Sequence, residues 1–156
     1  MAQTIQVVSF KLGSEEYGVD IAQVQEINRM VAVTHVPRAP QFMEGVINLR
    51  GQLIPIIDLR TRFGMPRAEH TKNTRIVVTE IGTKRVGMVV DSVSEVLRLP
   101  VDQIEPAPEM ISGVDTEYIR GVGKIDDRLI ILLDLGKIVS GAERRELEAT
   151  DVEHAA

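Results

Sequence analysis

The chain has no cysteine and no tryptophan, and its aromatic residues are limited to two tyrosines and three phenylalanines. Without cysteine there is no disulfide framework and no thiolate nucleophile or metal ligand, and a reducing cytoplasm is the natural setting. The 156 residues do not need such staples, because a domain of this size buries roughly 70% of its unfolded surface. No apolar run approaches the ~20 residues of a membrane span, and Met1-Ala2-Gln3-Thr4 is no signal peptide. A cytosolic protein with no direct membrane insertion is expected. A net charge of −5 gives no surplus of cations to neutralise phosphate, which argues against nucleic-acid and anionic-membrane partners. The scarcity of aromatics also deprives a nucleic-acid-binding β-barrel of its stacking platforms. No convergent polar site of the kind an enzyme needs is evident.

What is present centres on residues 45–63. Apolar residues run from Gly45 up to Arg50-Gly51 and resume at Leu53-Ile54-Pro55-Ile56-Ile57, the pattern of a hairpin whose glycine takes a positive φ. Proline cannot donate to a ladder, so the returning strand is expected at a sheet edge or a bulge, where a partner can dock. Asp58 before Leu59–Phe63, with Gly64 after, reads as a capped short helix. The block returns: Gly45, Val46, Leu53, Ile54, Asp58 and Leu59 match Gly121, Val122, Leu129, Ile130, Asp134 and Leu135 at an offset of 76 residues. Earlier in the chain Gly13, Gly18, Val24, Glu26 and Arg29 match Gly82, Gly87, Val93, Glu95 and Arg98 at an offset of 69. The offsets differ within proline-rich connections that tolerate extra length. The chain is a tandem duplication of one small β unit, with copy one over about 5–64 and copy two over about 73–140.

Glycine-led turns at Gly13-Ser14 and Gly82-Thr83 join flanking strands in each copy. Asp20 is a candidate N-cap for a brief amphipathic helix over Ile21–Ile27, with Val24 and Ile27 on one face. The matching run after Asp91 is richer in β-branched residues and is expected to stay extended. Gln41–Glu44 has room for one helical turn. Ile138, Val139 and Leu147 space a C-terminal helix from Leu135 to about Ala149, and residues 143–156 form its charged end and a frayed tail. Many short strands with glycine turns point to small barrels or a sandwich.

The symmetry-related Asp58 and Asp134 invite comparison with an aspartic-protease dyad, but capping explains both. Gly121-Val122-Gly123-Lys124 lacks the first glycine and the Ser/Thr of a phosphate loop. His35, His70 and His154 have no metal-ligand spacing, and neither a metal nor another cofactor is expected. Arg50, Arg60, Arg62, Arg67, Lys72 and Arg75 form a basic cluster in an acidic chain. It is either a solvated face or a docking patch for an acidic partner.

Gly45-Val46-Ile47-Asn48-Leu49-Arg50-Gly51 followed by Ile54-Pro55-Ile56-Ile57-Asp58-Leu59-Arg60 resembles the signature of CheW, the bacterial chemotaxis coupling family, as do Glu16–Ile21, Val24–Ile27 and Val86–Leu97. The resemblance covers about residues 5–140. It implies a mainly β fold of two intertwined five-stranded SH3-like barrels with a few short helices, one domain over 3–142, and no catalysis. It implies as partners the regulatory domain of the CheA histidine kinase and the methyl-accepting chemoreceptors, with the protein monomeric when free and recruited to membrane-associated arrays. The receiver domain that follows this module in CheV proteins is not expected. Carried over by position, the kinase-facing residues are Val24, Ile27, Gly45, Leu53 and Pro55, and the receptor-facing residues are Arg75, Gly87, Val93 and Val96. Glu26, Arg50 and Gly51 are structural or coupling residues, with Glu26 and Arg50 placed to pair.

Overall fold

The structure, a computed structural model, describes residues 3–37, 43–106 and 118–139. Its strands are β1 (Thr4–Leu12), β2 (Glu15–Asp20), β3 (Val24–Arg29), β4 (Gly45–Leu49), β5 (Gln52–Asp58), β6 (Arg75–Ile81), β7 (Lys84–Val90), β8 (Ser92–Pro100), β9 (Ile104–Glu105), β10 (Ile119–Ile125) and β11 (Arg128–Leu133). Two one-turn helices, α1 (Leu59–Arg62) and α2 (Leu135–Ile138), follow β5 and β11. Gly13 and Gly82 take φ of 60° and 64° in the two-residue hairpins they open, and Arg50-Gly51 takes 53° and 85°, the double positive φ of a type I′ turn. Asp58 accepts from the N–H groups of Arg60 and Thr61, and Asp134 from that of Gly136. At the other end of α1 the Gly64 N–H reaches the Thr61 carbonyl and that of Met65 the Arg60 carbonyl, which is a Schellman close.

The sheets do not follow the copies. A five-stranded sheet runs β3-β6-β7-β5-β4 and a six-stranded one β8-β1-β2-β11-β10-β9, each curling into a half-barrel. Each therefore combines strands of both copies, and the repeat symmetry extends to register. Ile56 lies parallel to Gly87 as Leu132 does to Gly18, and Glu26 faces Val78 as Glu95 faces Ser9. The two copies are intertwined because each lends its parallel partner to the other.

Period-two alternation divides the buried side chains among three clusters. Ile47, Ile54, Ile56, Ile76, Val78 and Val89 fill the five-stranded half-barrel, and Val7, Leu97, Leu99, Ile130 and Leu132 fill the other. The largest cluster lies between them and includes Phe10, Tyr17, Ile57, Phe63, Val77, Met88, Ile131 and Leu133.

Three expectations need correction. The run after Asp20 is helical only as a 3₁₀ turn over Ile21–Gln23; Val24 already begins β3. Val24 and Ile27 nevertheless share a face. A bulge between Val24 and Glu26 puts them opposite Thr79 and Val77, so a helix-like spacing of three arises in a strand. β5 is not an edge strand: it lies between β4 and β7, and β4 is the edge. Pro55 is tolerated because it stands opposite Val46, whose own N–H and carbonyl bond Thr34 on the far side. The proline nitrogen thus faces the β7 side, where pairing begins only at Ile56. The C-terminal helix expected from Leu135 to about Ala149 stops early, because α2 ends at Ile138 and Val139 is extended at φ −116° and ψ 114°; residues 140–156 lie outside the described residues, as do Gln41 and Phe42 of the turn expected before β4, while Met43 and Glu44 are not helical.

Candidate protein-interaction surfaces

Glu26 organises the mouth of the five-stranded half-barrel. Its carboxylate accepts from the Arg50 guanidinium across the sheet and from Asn28 Nδ2 at 3.0 Å, and pairs with Arg85 at 3.4 Å. β3 and β4 are the two edges of this sheet, so the contact between Glu26 on β3 and Arg50 at the tip of β4 bridges its open ends. The hydrogen bonds from Arg50 and Asn28 hold the Glu26 carboxyl below its ordinary range, and the same contact raises the Arg50 pKa. Arg50 is held at positive φ, and the side-chain carbonyl oxygen of Asn48 accepts from the Gly51 N–H at 2.8 Å, which fixes the turn that presents the arginine.

Ile27 is 41% exposed and Val96 is 51% exposed; the two are repeat mates on β3 and β8. Val24, Val93 and Leu53 are half-buried against the margin of the central cluster. Val96 and Val93 stand opposite Val8 and Phe10 across a bulge equivalent to that in β3. Each sheet thus carries its between-sheet apolar face out to solvent at one edge strand. Leu129, the mate of Leu53, is 59% exposed; sequence reasoning missed it, although the 76-residue offset pointed to it.

Gly45, Pro55 and Gly87 are buried and act through the backbone. A Cβ on Gly45 would lie 2.2 Å from the Thr34 carbonyl oxygen, and one on Gly87 would lie 2.6 Å from Ile56 Cδ1 inside the half-barrel. Arg75 begins β6, and its Nη1 donates to the carbonyls of Lys72 and Thr74 at 2.8 and 2.9 Å. The four positions expected to face a receptor are spread over both sheets, with Arg75 and Gly87 on one and Val93 and Val96 on the other.

Within the basic cluster Arg50, Arg60 and Arg67 are neutralised by carboxylates. Arg60 holds Asp91 through two nitrogens at 2.8 and 2.6 Å, and Arg67 holds Glu44 at 3.0 and 2.5 Å. Among the described residues no group of three or more His, Asp or Glu is placed to hold a metal ion, and no helix is long and apolar enough to cross a membrane.

A family model described as the CheW-like domain matches residues 6–143. A chemotaxis protein CheW of Klebsiella aerogenes is 46% identical over 134 residues, spanning 86% of this chain and 81% of the relative. A probable chemotaxis protein CheW of Rhizobium etli is 39% identical over 138 residues, spanning 88% and 89%. The crystal structure of the scaffolding protein TtCheW from Thermoanaerobacter tengcongensis superposes with a TM-score of 0.81 at 38% identity, covering 92% of each chain.

Proposed function

The chain belongs to the CheW-like domain family, its role is that of a chemotaxis coupling adaptor, and we propose that it joins the CheA histidine kinase to the cytoplasmic tips of chemoreceptors without catalysing a reaction itself. The observation that carries this reading is the match along the whole described fold to proteins named for chemotaxis and for scaffolding. The protein works from the cytoplasm, recruited to receptor arrays, as a single domain over 3–142. Val24, Ile27 and Leu53 face the kinase regulatory domain, with Gly45, Gly51 and Pro55 shaping the strands that present them. Val93, Val96 and Arg75 face the receptor, with Gly87 setting the spacing behind them. Glu26 and Arg50 hold the barrel mouth so that the two surfaces keep one relative geometry.

Co-sedimentation of receptor, kinase and this protein, with kinase activity read in the same tubes, tests the reading. All three should sediment together and activity should rise only when the protein is added. A kinase fully coupled in its absence contradicts it.

A further inference from the structure

Where β3 ends beside the start of β6, a cleft of about 440 Å³ is lined by Arg29, Lys72 and Arg75 with Met30 and the polar residues of 71–74. No Asp or Glu lines it. Arg29 and Arg75 are directly paired across the two strands, an arrangement in which like charges repel. Most other arginines among the described residues differ: Arg50, Arg60, Arg67, Arg85, Arg120 and Arg128 each have a carboxylate partner. The repeat mates of the pair are Arg98 and Gln6, which face each other in the other sheet, so the fold does not require two cations at this position. In a chain of net charge −5, three cations gathered around a cleft with no counterion among the described residues invite an external one. The main-chain carbonyls of Lys72 and Thr74 pin Arg75 by one nitrogen, which pre-orients the guanidinium.

We propose that this cleft is a docking site for an acidic segment of a partner protein, whose carboxylates bridge Arg29, Lys72 and Arg75. A nucleotide fits less well, because the lining offers no aromatic ring on which a base could stack. Arg75 is shared with the receptor-facing surface, so the inference extends the adaptor reading. Its test uses neither receptor nor kinase, and the two therefore fail separately.

The full chain, isotopically labelled, is titrated with a decaglutamate peptide and followed by its backbone amide resonances. Saturable shifts should concentrate at Arg29 and 71–75 and be absent at Arg98 and Gln6. Affinity should fall several-fold as ionic strength rises from about 0.01 to about 0.15 M, because the Debye length shrinks from ~30 to ~8 Å. Arg29→Gln combined with Lys72→Gln should weaken binding by about tenfold while melting no lower than the parent, since the substitution relieves a repulsion. Shifts spread evenly over all surface cations, or a double variant that binds as well as the parent, overturns the proposal. So does inorganic phosphate that displaces the peptide at equal or lower concentration, because the cleft is then a site for a small oxyanion.

Discussion

The mouths of the two half-barrels carry the same three positions with different charges. In the five-stranded sheet Gln52, Arg85 and Glu26 meet, with Arg85 Nη1 donating to the Gln52 side-chain oxygen and Arg85 Nη2 pairing with Glu26 at 3.4 Å. In the six-stranded sheet their repeat mates are Arg128, Glu16 and Glu95, with Arg128 bonding Glu16 at 3.1 Å and Glu95 at 2.8 Å. The cation has moved from the second position to the first, and each cluster remains satisfied. Duplication has preserved the backbone geometry and the buried alternation, which folding requires, and has let surface charge diverge, which partners read. The exposed apolar positions follow the same rule: Ile27 and Val96 occupy one structural place on two surfaces of different charge.

The largest difference between equivalent positions is expected at the glycines Gly45 and Gly121, in β4 and β10. Gly45→Ala forces a Cβ to 2.2 Å from a backbone oxygen, whereas at Gly121 the nearest approach is 3.0 Å. Overpacking against a fixed carbonyl belongs at the upper end of the usual range, about 3 kcal/mol, against about 1 kcal/mol or less for Gly121→Ala. Urea unfolding of both variants checks it, and equal losses would mean that the two glycine positions are equally roomy.

Next come the hairpin leucines. Leu53 packs against the central cluster and Leu129 is 59% exposed, so Leu53→Asp should cost about 2 kcal/mol and Leu129→Asp within about 0.5 kcal/mol. Thermal melts of the pair distinguish a half-buried dock from a solvated one.

Acidification separates the charge clusters. Burial alone would raise the Glu16 pKa, but hydrogen bonds from Arg128 and Ser9 outweigh it and hold the group below its ordinary 4.5. A depressed folded pKa contributes stability that is fully present above the unfolded value and is lost as pH falls through the folded one. Stability should therefore decline as pH drops below about 4.5, and Arg128→Gln should flatten that decline, as followed by denaturant midpoint against pH.

The smallest effect is a charge exchange at Glu26 and Arg50. Each single reversal should weaken coupling without unfolding the protein. Glu26→Arg with Arg50→Glu should restore only part of it, because the exchange sets a new cation beside Arg85. Full recovery in a double-mutant cycle would show that Arg85 is a bystander.

The duplication, the hairpin turns and the helix caps were legible in the sequence because each rests on local chemistry: a positive φ at Gly13 and Gly82, and a carboxylate accepting at Asp58 and Asp134. The pairing of Glu26 with Arg50 was legible from the resemblance together with the placement of Arg50 at the head of the hairpin, and it is present in the structure. The strand exchange between copies was not readable from period-two alternation, since alternation gives a strand its two faces and says nothing of its neighbours. The helix expected after Asp20 failed for a specific reason. The bulge between Val24 and Glu26 inserts one residue into the alternation, and two apolar side chains three apart then imitate a helical face. Arg29 escaped notice because its significance comes from facing Arg75 across the sheet, a contact between residues distant in sequence.

The division of labour between the two surfaces is tested most directly by the repeat mates Ile27 and Val96, both exposed enough to be changed without disturbing the core. Binding of Ile27→Asp and Val96→Asp to the kinase regulatory domain and to a receptor cytoplasmic fragment is measured side by side. Ile27→Asp should lose the kinase domain and keep the receptor, and Val96→Asp should do the reverse. Loss of both partners by both variants, or retention of both by either, contradicts the assignment of the two surfaces.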